Sequence, residues 1–401
     1  MSRTTTALVV PELNGTFELQ EVYLNTLQPD EVLVEIHASG VCHTDLSCST
    51  GVLPCVAGAV LGHEGAGVVL DMGSAVTHVA PGDKVLLSFS YCETCPQCKA
   101  GHPAYCYTMT QRNFGGIRPV LPAKGYALPT HAFIAPFEHK ICDPPHTSMS
   151  TAKGGRPIFS SFFGQSSFAR NTIAQRSSVV KVPADTDLEV YASLGCGMQT
   201  GAGAVLNSLN VRAGSSVAVF GVGSVGMAAV MAAAKIAGAS TVIAIDLQQS
   251  RLDLAVKLGA THGVLGGSSD VAAQIRKICE PALGVDYAVD CSGVPAVVNT
   301  MIESLGIKGR ASAVGAPGPG KYAQVEIMNH LGFGREFVGC TEGDSNPSEF
   351  IPFLMKMHQR GQFPLDQFTT FYDVADFKQA FEDTKSGKAI KAVLRWGNVK
   401  A

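Results

Sequence analysis

The chain has 401 residues, of which 46% are hydrophobic and 16% charged, and its formal net charge is −3. This length suits roughly two domains, and the apolar share is too high for global disorder. Charge is not gathered into basic or acidic blocks, so a nucleic-acid partner is not expected.

The N-terminal stretch MSRTTTALVV lacks an apolar run long enough for a secretion signal. Residues 5–90 read as short strands. TALVV, EVLVEIHA, GAGVVLD and DKVLLSF are Val- and Leu-rich and bounded by Gly, Pro and Asp. APGDKV is a turn in which Pro fixes φ and Gly takes the positive-φ position. Residues 112–160 are rich in Pro, Gly and His without periodicity, which is unusual for a segment of that length in a compact domain. Within it, the spacing of His139, Cys142 and His146 matches no closed metal-ligand set.

The longest apolar stretch, 217–239, could span a membrane by length alone. Its glycines and Lys235 instead favour a buried strand, a turn and a helix. From 215 to 315 strands and helices alternate: SSVAVF, a helix to Ala237, STVIAID, QSRLDLAVKLGA, HGVL, DVAAQIRKICE, VDYAVDCSG, PAVVNTMIESL and GRASAVGA. Such alternation implies a parallel sheet covered on both faces, hence an α/β fold beside the β-rich segment. Residues 345–401 add two helices, SEFIPFLMKMHQR and DFKQAFEDTKSG, and a last strand, KAVLRW. The reading is of a soluble, cytoplasmic protein without a membrane partner.

Four of the twelve cysteines, Cys92, Cys95, Cys98 and Cys106, fall within fifteen residues at C-x2-C-x2-C-x7-C spacing. In a reducing compartment this pattern predicts a closed, structural zinc site. An iron–sulfur cluster fits the first spacings, but the ferredoxin run ends in x3 and Pro, not x7. A nucleic-acid zinc ribbon is disfavoured because 92–106 carries one Lys and one Glu.

VAVFGVGSVGMAAV supplies Gly221, Gly223 and Gly226 directly after a strand and at the opening of a helix. Asp246 ends the next strand. That context makes the glycines a dinucleotide fingerprint, with the pyrophosphate on the helix N-terminus and Asp246 on the adenosine ribose. A carboxylate there repels a 2′-phosphate, so NAD is expected rather than NADP. SGVCHTDLS packs Cys42, His43, Thr44 and Asp45 together, and four adjacent side chains cannot all reach one ion. LGHEGAG holds His63 and Glu64, and SLGCGMQTGAG holds Cys196. None of these alone establishes a ligand.

Taken together, GVCHTD, GHEGAGVV, the four-cysteine lobe, GCGMQTGAGA, GVGSVG and GAPGPG resemble, in order and over nearly the whole chain, the zinc-dependent medium-chain alcohol dehydrogenases. FFGQSSFA, EGDSNPSEFIP and IKAVLRW look most like the benzyl and aryl alcohol dehydrogenase branch. The resemblance implies a GroES-like catalytic domain at 1–197, with a structural zinc lobe at 92–106. A Rossmann NAD domain at 198–342 and a return to the catalytic domain at 343–401 complete it. The domain cleft is expected to hold zinc, nicotinamide and substrate.

It further implies that Cys42, His63 and Cys196 bind a catalytic zinc, with Glu64 beside it and Asp45 fixing the tautomer of His63. Two thiolates and an imidazole leave the open position of a catalytic site. Thr44 would take the alcohol proton. His43 and Lys391 would lie at the cofactor pyrophosphate, Arg251 near the adenosine ribose, and Thr200 along the cofactor. Many relatives carry a proton-passing histidine five positions after Cys42, where this chain has Ser47. Phe162 and Phe163 are candidate pocket residues. The expected reaction is reversible, zinc- and NAD-dependent oxidation of primary aryl or allylic alcohols by a homo-oligomer, dimer or tetramer. A natural-product aldehyde reductase, a short-chain aliphatic alcohol dehydrogenase and a non-catalytic dinucleotide-binding protein are the alternatives.

Overall fold

A computed structural model describes residues 4–118 and 146–399. His139 and Cys142 lie outside the described residues. The chain divides into two compact units, one comprising 1–196, 346–352 and 368–401, the other 197–345 and 353–367. Residues 353–367 therefore fall with the second unit, which interrupts the expected C-terminal return. Gln362 shows one reason: its side-chain amide donates to the Lys235 carbonyl at 3.0 Å.

The first unit is built on two sheets. One has five strands in the order Ala59–Val60, Thr4–Val10, Glu18–Leu24, Met149–Ser150 and Pro157–Ile158. The other runs Val179–Lys181, Lys84–Leu87, Gly65–Met72, Glu31–Gly40, Lys391–Arg395 and Thr369–Asp373, with Asn171–Gln175 also paired to Glu31–Gly40. The period-2 pattern of EVLVEIHASG explains its central place. Val32, Val34, Ile36 and Ala38 are fully buried on one face, as alternation of side chains across a strand requires.

Two features of this unit tie distant residues together. The strand Lys391–Arg395 pairs antiparallel with Glu31–Gly40, Val393 opposite Gly40, which brings Lys391 to the residues just after that strand. Second, Glu31 and Arg118 form a buried bidentate pair, Nε to Oε1 at 2.7 Å and Nη2 to Oε2 at 2.9 Å. Gln175 Nε2 and the Gln28 N–H also donate to Glu31, while Arg118 donates to the Thr26 and Thr147 carbonyls. The Arg118 N–H donates to the His146 carbonyl at 2.8 Å, so the described chain on either side of 119–145 is tied together.

The second unit carries a six-stranded, all-parallel sheet. Its order is His262–Leu265, Thr241–Asp246, Ser216–Phe220, Val285–Asp290, Leu305–Ala313 and Glu336–Gly339. By chain order that is 3-2-1-4-5-6, the doubly wound arrangement whose switch point lies beside the first strand. Buried on both faces, Val217, Ala218, Val219 and Phe220 read as a continuous apolar run. No helix among the described residues is long and apolar enough to cross a membrane.

Candidate active site and metal centres

Cys42 caps the short helix His43–Ser49. Successive residues on a helix point about 100° apart, so the CHTD side chains diverge. His43 is exposed, Asp45 is buried, and Thr44 is half-buried with its hydroxyl 3.6 Å from Cys42 Sγ. Only Cys42 joins a donor set, with His63, Glu64 and Cys196, whose ligand atoms all lie within 4.8 Å of one another.

Asp45 holds two of these residues. Its Oδ2 accepts the Cys42 N–H, and its Oδ1 accepts the Gly62 N–H and His63 Nδ1, each at 3.0 Å. The role implied for Asp45 requires such a hydrogen bond to the second nitrogen of His63. His63 Nε2 is buried without a hydrogen-bond partner of normal geometry. Burial opposes a positive charge on His63, but Asp45 and the Cys42 sulfur hold its pKa well above the usual imidazole value. The Cys42 thiol is held well below the ordinary range by its contact with Cys196, against burial and with help from His63 and Lys391. An orphaned ring nitrogen beside two soft sulfurs, one already favouring the thiolate, fits zinc.

Lys391 differs from expectation. It is 1% exposed, and its ammonium pairs with Glu64 Oε2 and donates to the Val41 carbonyl at 3.1 Å. The register of its strand puts it at the donor set, where Glu64 takes its charge. Burial opposes charging of Lys391, but Glu64 and the Cys42 sulfur outweigh it and raise its pKa. Burial pushes the Glu64 carboxyl upward, and Lys391 draws it back.

Cys92, Cys95, Cys98 and Cys106 converge as a second set, also within 4.8 Å. A tetrahedral zinc with sulfurs near 2.3 Å separates them by about 3.8 Å. Cys95–Cys98 at 3.5 Å and Cys92–Cys98 at 3.9 Å bracket that value and are far longer than a disulfide. The Cys95 and Cys92 N–H groups donate to the Cys92 and Cys106 sulfurs at 3.2 and 3.3 Å. Burial opposes ionisation of Cys92, yet donors from Thr94 and Cys95 bring it down to about 6. Burial together with Cys95 and Cys106 pushes Cys98 up. Four thiolates at this spacing need a cation to ionise together, and the set fits a closed zinc site.

In the second unit Gly221 has φ +82°, the turn that only glycine takes at no cost. A Cβ on Gly226 would lie 2.1 Å from the Gly221 carbonyl oxygen, whereas one on Gly223 would meet nothing within 4 Å. Nothing among the described residues requires glycine at Gly223, whereas close approach of a pyrophosphate would. Gly223 caps the helix Ser224–Met231. Asp246 is buried at the end of its strand. It accepts the Val222 N–H at 2.9 Å and the Gln248 N–H at 3.0 Å, with Arg251 Nη1 3.7 Å away. Thr200 lies half-buried on the helix Gly197–Gly203.

Three site features have no local sequence signal. Glu64 pairs with a residue more than 300 positions away, and Gln165 and Ser88, described below, bind backbone groups beside two ligands. Gln165 stands inside FFGQSSFA, but a motif does not reveal which backbone groups its amide will satisfy.

Comparison with known proteins agrees with this geometry. Residues 28–135 match the alcohol dehydrogenase GroES-like domain, and residues 224–359 the zinc-binding dehydrogenase domain. Geraniol dehydrogenase of Castellaniella defragrans is 36% identical over 97% of this chain and 96% of its own length. Two crystal structures superpose over nearly all of both chains. A zinc-binding-domain alcohol dehydrogenase of Burkholderia ambifaria has a TM-score of 0.89 at 42% identity, covering 99% of this chain and 100% of its own. Benzyl alcohol dehydrogenase of Acinetobacter calcoaceticus has 0.87 at 37%, covering 98% and 99%. The chain belongs to the zinc-dependent medium-chain alcohol dehydrogenase family. It is an oxidoreductase of the alcohol dehydrogenase class, with the family's GroES-like and NAD-binding domains.

Proposed function

We propose that the chain reversibly oxidises primary aryl and allylic alcohols to aldehydes, using zinc at Cys42, His63 and Cys196 and NAD as hydride acceptor. The observation that carries this reading is the aromatic wall around His63. Phe163 stacks on the imidazole at 4.5 Å and 27°, and Phe162 meets it edge-on at 5.4 Å and 85°. Phe114 packs against both phenyl rings. Phe162 and Phe163 are buried in this cluster, so a substrate at His63 would pack beside aromatic rings, which suits a flat, conjugated one. Two relatives, a geraniol dehydrogenase and a benzyl alcohol dehydrogenase, point the same way.

When bound, zinc supplies a Lewis acid that lowers the pKa of an alcohol toward neutrality. Thr44, half-buried with its hydroxyl beside the Cys42 sulfur, takes the alcohol proton. Ser47 cannot exchange a proton near neutral pH as an imidazole does, so either water or another side chain acting as base carries the proton on from Thr44. Asp45 keeps Nε2 of His63 as the ligand atom. Gly221–Gly226 and the helix after them receive the pyrophosphate. Asp246 takes the ribose hydroxyls and disfavours a 2′-phosphate. Arg251 and Thr200 complete the cofactor contacts. A homo-oligomer is supported by Ile327, Met328 and Leu331, which are 75%, 68% and 70% exposed on one short helix near the sheet's edge strand.

Initial rates with benzyl alcohol, cinnamyl alcohol, ethanol and their aldehydes, each with NAD and NADP, test the reading. The aromatic substrates should exceed ethanol at least tenfold in kcat/KM with NAD, and parity with ethanol would sink the substrate assignment. Metal analysis should find two zinc ions per chain. Cys42→Ser should lose one zinc and turnover while still binding NADH, and unchanged turnover would remove Cys42 from the metal.

A further inference from the structure

We infer that Gln165, acting through Ser88, is a positioning residue that fixes His63 and Cys196 relative to one another. The inference rests on the reading that these residues hold the catalytic zinc. Gln165 is fully buried, and its side chain is saturated by backbone. Oε1 accepts the Gly65 N–H at 3.1 Å, and Nε2 donates to the His63 and Ser88 carbonyls, both at 2.9 Å. One donor pair facing two carbonyls and one acceptor facing an N–H admit a single amide orientation.

The place of these contacts matters. Gly65 opens the strand Gly65–Met72, and Ser88 follows the strand Lys84–Leu87. The two strands pair through Ala66 and Leu86. The Gln165 amide thus continues the ladder at the end where the two strands part, next to His63. Ser88, also fully buried, donates its hydroxyl to the Gly195 carbonyl at 2.7 Å, one residue before Cys196. Gly195 has no slack of its own, since a Cβ there would lie 2.0 Å from the Leu87 carbonyl oxygen. The path from His63 to Cys196 therefore runs carbonyl, amide, carbonyl, hydroxyl, carbonyl, with every atom buried. Asp45 ties Cys42 to His63, and Gln165 with Ser88 ties His63 to Cys196. Two braces fix the three vertices of the set.

Groups that orient metal ligands alter affinity by about 10- to 100-fold when removed. The test uses the zinc-loaded full-length chain, with metal release to a chromogenic chelator resolved in time. The Cys92–Cys106 lobe serves as internal control. Gln165→Leu should release one of the two ions about 10- to 100-fold faster and the other at the wild-type rate. With cobalt substituted for zinc, its visible bands should shift. Ser88→Ala, which removes one hydroxyl, should accelerate the same phase by less. Wild-type release and cobalt bands in the variants would overturn the inference, and so would equal acceleration of both phases, which signals general loosening. If Gln165→Leu does not fold, Ser88→Ala decides by the same criteria. A wild-type chain that holds only the lobe zinc defeats the catalytic-zinc reading itself, a result distinct from any of these.

Discussion

The three glycines of the nucleotide turn invite a paired substitution, because the structure assigns them different jobs. Gly226 is a packing glycine. An added Cβ would stand 2.1 Å from the Gly221 carbonyl oxygen, a backbone atom that yields only if strand and helix move apart. Overpacking of this kind costs about 1–3 kcal/mol, so Gly226→Ala should lower the urea midpoint of the apo protein clearly. Gly223 has φ −73° and ψ −161°, which alanine adopts freely, and its Cβ would enter open space. As a helix cap, alanine is poorer than glycine by at most about 1 kcal/mol. Gly223→Ala should therefore fold with nearly wild-type stability. If the pyrophosphate approaches the backbone there, the new methyl stands in its way, and NADH affinity should fall at least about tenfold, equivalent to 1.4 kcal/mol. Urea melts of the apo proteins and NADH fluorescence titrations read the two effects separately. Wild-type NADH affinity in Gly223→Ala would refute the placement of the dinucleotide. An undisturbed urea midpoint in Gly226→Ala would refute the packing argument.

Arg118→Met leaves Glu31 charged and buried among donors arranged for a pair, and should destabilise the first unit by about 3–5 kcal/mol. A loss under about 1 kcal/mol in chemical melts would show that Gln175 and the Gln28 amide suffice for Glu31. Asp83 has its pKa lowered from 3.8 by the Lys181 ammonium at 2.7 Å and the Ala80 N–H. A depressed acid stabilises the fold above its unfolded pKa, and this stabilisation is lost as pH falls through the folded value. Asp83→Asn should flatten the stability profile below about pH 4, and an unchanged acid limb contradicts the assignment. Asp45→Asn offers one acceptor oxygen where the native carboxylate serves three donors through two. Chelator challenge should strip the donor set about 10- to 100-fold more readily, whereas native resistance would deny Asp45 its bracing role.

Much of the fold is legible in the sequence because its periodicities are local. The alternation of EVLVEIHASG and the glycine turn between SSVAVF and its helix both appear where they are read. Other elements leave little trace. Glu18–Leu24 forms a strand although only Val22 and Leu24 are buried, so its Glu and Gln residues mask the pattern. Ala59–Val60 and Met149–Ser150 are strands of two residues defined by their partners. The same divide runs through the site. The cysteine spacing encodes its lobe because the ligands are close in sequence. The place of Lys391 depends on pairing Val393 with Gly40 across 353 positions, and no local pattern carries that register.

That register also has a temporal side. In chain order Cys42, His63 and Cys196 all precede the counter-ion of Glu64, Lys391, which follows Cys196 by 195 residues. The donor set and the lysine that pairs with Glu64 are therefore made at different times in vectorial synthesis. The Glu64–Lys391 pair can form only after the strand Lys391–Arg395 has been made and paired with Glu31–Gly40.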